Sequence, residues 1–190
     1  MKLNKKSKTK LLIAIFLIIF GTVGRIILKD MPNIETITVS ALLAGSLLGG
    51  FYTLFVPLMI IALSDMYIGN DPILLFTWSA WGIAGFFGWL IRKRKGYNYK
   101  FVLSLTGMGM LFAIFFYLYT NFGVWLLWQM YPKNLAGLLQ CYIAGLPFFR
   151  NSIISNLVFI PAMSALLLLA LKFKIYKYPD KIYNKKEISK

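Results

Sequence analysis

The chain has 190 residues, of which 59% are hydrophobic, 17% aromatic and only 14% charged, with a mean hydropathy of +0.70. Soluble domains carry about 25% charged residues, and one of this length could not enclose so much apolar surface, so a single integral membrane domain is expected. The net charge of +15 does not point to nucleic acid, because the cations interrupt apolar runs instead of lining a folded basic face. With no histidine and one cysteine, Cys141, the chain has no material for a histidine metal site, a Ser-His triad or an internal disulfide. No metal, cofactor or enzymatic activity is expected.

Lys2, Lys5, Lys6, Lys8 and Lys10 precede the first apolar run, Leu11–Leu28. It resembles a signal peptide but is longer than a typical apolar core, and no cleavage site precedes Lys29-Asp30, so it is read as an uncleaved first span. Lys29–Glu35 is a short loop turning at Pro32-Asn33. Thr36–Gly49 is a second, rather short span, and Phe51–Met66 a third that contains Pro57. The hairpin from Pro32 to Gly69, bent at Gly49-Gly50, reads as the part around which the rest is arranged. Ala41, Gly45 and Gly49 recur every fourth residue, so they share one helix face and admit a close backbone neighbour.

After the turn Asn70-Asp71-Pro72, Leu74–Ile91 is a fourth span with a second small-residue stripe, Ala80, Ala84 and Gly88. A basic loop follows (Arg92, Lys93, Arg94, Lys95 and Lys100), then a fifth span, Phe101–Tyr119. A sixth, Ile153–Leu171, ends in a basic tail with Lys172, Lys174, Lys177, Lys181, Lys185, Lys186 and Lys190. Basic residues flanking spans mark the cytoplasmic side and can touch anionic lipid heads. Placing all three blocks there requires even numbers of crossings between them. The expected topology is therefore six transmembrane helices in the inner (cytoplasmic) membrane, with both termini cytoplasmic.

Thr120–Ser152 would then lie outside. It is too apolar for a solvated linker and too interrupted for a clean span. Asn134 is a plausible N-cap, and Gly145-Leu146-Pro147 a stop, which predicts a short interfacial helix over the outer face. Trp125, Trp128, Tyr131 and Tyr142 suit the headgroup zone.

Polar groups inside spans are informative, because a charge at the bilayer centre costs about 2.5–3.5 kcal/mol even on lenient scales. Arg25, Asp65, Thr77, Trp78, Asn121 and Asn156 all fall in the outer third on this topology. Arg25 and Asp65 can pair with each other, meet a ligand or snorkel to the surface. Asn121 and Asn156 can bond between helices, and Trp78 and Trp81 can serve as belt residues or line a pocket. Together they predict an outward pocket with Arg25, Asp65, Trp78, Trp81, Asn121, Trp125 and Asn156 as ligand-binding residues. Ala41, Gly45, Gly49, Ala80, Ala84 and Gly88 are the candidates for packing or for docking a partner. There is no Walker-type phosphate loop, no second intramembrane acid beside Asp65, and no visible inverted repeat.

The residues Gly24-Arg25, Pro32-Asn33, Ala41, Gly45, Pro57 and Ser64-Asp65 form a recognisable run. With them go Thr120-Asn121-Phe122-Gly123, Trp125, Tyr131-Pro132, Gly137-Leu138, Cys141-Tyr142 and Pro147-Phe148-Phe149. The set resembles a family of small bacterial membrane proteins of unassigned function, similar to the substrate-binding S components of energy-coupling-factor (ECF) vitamin transporters. The resemblance covers about residues 20 to 165. It implies a six-helix bundle that captures a vitamin-like micronutrient on its outer side and docks a coupling subunit driven by two ATPases. S components typically carry Ala-x-x-x-Ala on the first helix for that docking; Leu11–Leu28 has no such pair, and the nearest equivalent is Ala41/Gly45/Gly49. The expected function is uptake of a small organic micronutrient. The alternative is a scaffold protein of the cell envelope that docks partners through its Gly/Ala faces.

Overall fold

The computed structural model describes residues 5–92 and 98–177. These form six consecutive helices and no strand: α1 (Lys5–Ile27), α2 (Ile37–Leu43), α3 (Tyr52–Ile68), α4 (Leu74–Leu90), α5 (Tyr99–Leu127) and α6 (Leu135–Lys177). α2 continues as a wider π-helical segment, Ala44–Leu48, closed by the bond from Gly49 N to the Ala44 carbonyl at 2.9 Å. Three helical stretches are long and apolar enough to cross a membrane: Ser7–Ile27, Tyr99–Leu127 and Leu135–Ala170. Ile37–Leu48, Tyr52–Ile68 and Leu74–Leu90 are shorter apolar helices. Large apolar side chains such as Leu12, Phe16, Leu75, Leu103 and Leu157 point outward, as suits a surface solvated by lipid chains.

Successive helices run in opposite directions, and side-chain bonds fix their relative heights. Near one end Lys10 Nζ donates to the Leu48 carbonyl at 3.0 Å, and Arg92 lies over Gly49. Near the other, Arg25 of α1 reaches Ser64 and Asp65 of α3, and Trp78 of α4 reaches Asp65. The start of α1, the α2–α3 turn and the end of α4 therefore share one end of the bundle. That much agrees with the expected grouping of the first two basic blocks. Lys93–Lys95 and the tail from Lys181 onward lie outside the described residues.

α2 stands at the centre. Every residue from Ile37 to Leu43 is buried, and the serine hydroxyls are satisfied along the helix's own backbone, with Ser40 Oγ donating to Thr36 O at 2.9 Å and Ser46 Oγ to Leu42 O at 2.8 Å. Its seam with α4 is made by backbone against backbone. A Cβ on Gly45 would land on the Gly85 carbonyl oxygen, one on Gly88 on that of Leu42, and one on Gly85 on that of Thr53 in α3. Ala41, Ala80 and Ala84 are fully buried in the same region. The faces expected to receive a partner are thus occupied within the chain. Ala41, Gly45, Ala80, Ala84 and Gly88 hold the bundle's own helices together, and Gly49 sits under Arg92 in the α2–α3 turn, where its φ of +61° suits a glycine.

The first four expected spans match α1 to α4 to within a few residues, apart from an earlier start of α1. The last two do not. α5 does not stop at Tyr119 but runs to Leu127, and α6 begins at Leu135 and continues unbroken through Pro147 and Pro161. Among the described residues there is no separate interfacial helix, and Thr120–Ser152 forms the tip of an antiparallel α5–α6 hairpin. The helix survives Pro147 because a break in apolar surroundings would strand several backbone groups, whereas one proline removes a single donor. Gly145, read as a stop, is a point of close approach where a Cβ would meet the Asn121 side chain. Asn134 is the N-cap as expected, accepting from Gly137 N at 2.9 Å. Lys133 closes the tip by donating to the carbonyls of Trp125, Leu126 and Trp128.

Gly85→Ala drives a methyl group into the Thr53 carbonyl and should cost about 1–3 kcal/mol or more. Gly107→Ala, with nothing within 4 Å of the added carbon, should be tolerated. Thermal unfolding of the two variants in detergent measures the contrast.

Candidate functional site

A cavity of about 280 Å³ opens at the end of the bundle away from Lys10 and Arg92. It exists because α2 begins only at Ile37, leaving space between the tops of its taller neighbours. The α1–α2 connection, residues 28–36, crosses over as a strap whose Met31, Pro32 and Asn33 edge the opening. Strap and helices are stitched together on one side. Ser155 Oγ of α6 donates to the Glu35 carbonyl at 2.9 Å and accepts from Glu35 N at 3.0 Å, and Asn151 Nδ2 donates to Pro32 O at 2.9 Å.

The base is aromatic. Trp81 of α4 lies 5.3 Å from Phe112 and 4.8 Å from Phe116 of α5, both pairs tilted, a favourable geometry for ring quadrupoles. Phe112 and Phe116 are four residues apart and so share a helix face. Asn156 of α6 lines the cavity while donating Nδ2 to Gly109 O at 3.0 Å.

The charged wall is built by α1 and α3. Arg25 Nη1 donates to both Asp65 Oδ1 and Ser64 Oγ. Ser64 Oγ in turn donates to Ile60 O at 2.8 Å. Asp65 accepts a second bond on Oδ2 from Trp78 Nε1 at 2.9 Å. The Asp65 side chain is only 4% exposed against 23% for Arg25, so the carboxylate is enclosed while the guanidinium retains an outer edge. No described residue accepts a hydrogen bond from its Nε or Nη2. Lys29, at the mouth, lies 5.4 Å from the centre of the Tyr67 ring.

Glu35 is half-buried as a residue, with its carboxyl group enclosed. The two oxygens accept from Thr38 N at 2.9 Å and Thr38 Oγ1 at 2.6 Å, capping the start of α2. Burial pushes this carboxyl above its usual value of 4.5, against the opposing pull of the Thr38 bonds and the Arg25 charge.

Of the expected ligand residues, Arg25, Trp81 and Asn156 line the cavity. Asp65 stands behind Arg25 and holds it, with Trp78 bonded to Asp65 in turn, and Arg25 and Asp65 pair as one of the sequence readings had it. Asn121 and Trp125 are elsewhere. Asn121 donates to Tyr117 O at 2.8 Å beside Gly145, and Trp125 bonds Pro132 O at 2.9 Å at the hairpin tip. Both face α6. Glu35, Thr38, Phe112 and Phe116 were not anticipated as lining residues. An acid three residues before a hydroxyl at the start of an apolar run, Glu35-x-x-Thr38, is the signal that marks the first two. Among the described residues no group of three Cys, Asp or Glu side chains could hold a metal ion.

Fold and cavity define an all-helical protein, with helices long and apolar enough to cross a membrane and a small polar-rimmed hollow at one end of the bundle. The chain belongs to the family of unknown function DUF6580, which it matches over residues 5–179. No curated protein and no solved structure matches it.

Two measurements probe the charged wall. Arg25→Met strands the enclosed Asp65 carboxylate and should cost about 3 kcal/mol. Trp78→Phe, which removes one bond to a charged acceptor, should cost about 1.5 kcal/mol; unfolding in detergent at neutral pH ranks them. For Glu35, the folded state keeps its proton to higher pH than the unfolded chain. Between 4.5 and the raised folded value the native state therefore binds more protons, and stability falls as pH rises through that window. Glu35→Gln should flatten this slope in a pH series of melting temperatures.

Proposed function

We propose that this protein captures a small organic micronutrient in the cavity under the 28–36 strap and serves its uptake across the inner membrane, as the resemblance to ECF S components implies. In this reading the chain passes through the bilayer six times, the second passage being the short α2 completed by its flanking strap and turn. The ends that carry the basic blocks face the cytoplasm, and the cavity faces outward. The observation that carries the reading is the position of the hollow. Arg25, Lys29 and Glu35 line one cavity, with Asp65 behind Arg25, at the end opposite Lys10 and Arg92. Charges are costly at membrane depth and mark substrate paths. The volume favours a small molecule, since ligand sites for drug-sized compounds run from about 300 to 1,000 Å³.

The same reading assigns energy coupling to a partner, an ECF-type coupling subunit with its ATPases, because the chain has no phosphate loop of its own. That partner cannot use the Ala41/Gly45 or Ala80/Ala84/Gly88 faces, which are filled by the chain's own helices. It would have to meet the outward apolar faces of the bundle. The scaffold alternative rested on those same small-residue faces and has no support left among them.

Gentle purification followed by mass spectrometry of extracted small molecules is the direct test. A stoichiometric solute, together with an uptake defect for that solute on deletion, is the expected result. Absence of both would remove the proposal.

A further inference from the structure

We infer that the cavity selects a small ring compound bearing a carboxylate, with the acid on the free edge of Arg25 and the ring on the Trp81/Phe116 base; this rests on the solute-binding reading above. The inference follows from which polar groups remain unspent. The hydroxyl of Thr38 donates to Glu35 at 2.6 Å, that of Thr77 to Leu74 O at 3.1 Å, and that of Ser152 to Phe148 O at 3.3 Å. Both Glu35 oxygens are occupied by the α2 cap. Asn156 spends an amide hydrogen on Gly109 O. The neutral donors left over are the Asn33 amide in the strap, the second amide hydrogen of Asn156 and the indole N–H of Trp81; the cationic ones are Nε and Nη2 of Arg25 and the ammonium of Lys29 at the mouth. Cationic donors without acceptors call for an anion.

The shape of the unspent edge narrows the anion. Asp65 and Ser64 hold Nη1, so the guanidinium is fixed in direction and presents Nε and Nη2 as a flat two-donor fork. That fork matches the two coplanar oxygens of a carboxylate, and a fixed fork loses little conformational freedom on binding. The space beside it narrows the rest. At about 30 Å³ per water the hollow holds roughly nine waters, room for a single or fused ring and excluding any large cofactor. The tilted Trp81 and Phe116 rings, 4.8 Å apart, offer a π surface to such a ring. The enclosed Asp65 is thus a positioning residue that aims Arg25.

The test uses the purified full-length protein in detergent and measures binding by calorimetry. The probes are benzoate and nicotinate, their neutral amides, and glycerol phosphate as the mimic of a lipid headgroup. The acids should bind, and the amides at least about tenfold more weakly, the scale of a lost charge-assisted pair. Arg25→Lys, which keeps a cation beside Asp65 but removes the fork, should reduce the preference for acid over amide severalfold. Phe116→Leu should weaken acids and amides alike while leaving that preference intact. Amides binding as well as acids, glycerol phosphate displacing the acids, or a preference undiminished by Arg25→Lys would each overturn the inference. If no probe binds while a solute without an acid group co-purifies, the carboxylate class is wrong and the uptake reading stands. If no probe binds and no solute co-purifies, both fall.

Discussion

The constraint on which the rest of this structure depends is the approach of α4 to α2 and α3 at backbone distance. Gly45, Gly85 and Gly88 each face a neighbouring carbonyl with no room for a β-carbon, and α2 is consequently enclosed on every side. In lipid there is no hydrophobic drive between helices, so close packing of small residues must supply the association. A helix held in this way need not reach either bilayer surface. From Ile37 to Leu48 it rises only about 18 Å at 1.5 Å per residue, well short of the roughly 30 Å hydrocarbon core. The hollow above it is the geometric remainder of a short central helix among taller ones.

That remainder explains the electrostatics. Glu35 sits where the short helix begins, and its carboxyl both caps α2 and borders the cavity. Arg25 and Asp65 sit where α1 and α3 overtop it. Neither charge is isolated. Asp65 is held by Arg25 and Trp78, and Arg25 keeps access to the cavity through its outer edge. Enclosed ion pairs seldom contribute net stability over apolar packing, so what this pair does supply is a fixed direction for the guanidinium.

Much of this was legible in the sequence. The boundaries of α2, α3 and α4 are set by local chemistry, the Gly49-Gly50 reversal and the Asn70-Asp71-Pro72 turn, and both read correctly. The pairing of Arg25 with Asp65 was also one of the stated readings. The α5–α6 hairpin was not legible, because its glycine and prolines act as breakers only when no partner helix lies alongside, and the partner is distant in sequence. Asn121 and Trp125 failed for a different reason. Depth along a helix can be counted, but the face cannot be known until neighbours are placed. Asn121 is rotated by about 140° from Phe116 at 100° per residue, which turns it toward α6. The small-residue stripes were recognised as contact faces, while the identity of the neighbour, another segment of the same chain, required the fold.

The continuity of α6 has a mechanical consequence. Three hydrogen bonds, two through Ser155 and one from Asn151, fasten the strap to this single helix. The same helix continues past Pro161 toward the opposite end of the bundle. The strap cannot swing aside without either rupturing those bonds or taking the upper arm of α6 with it, and the proline is where such an arm would pivot. Entry to the hollow is thereby geared to the tilt of a rod that runs the full height of the protein.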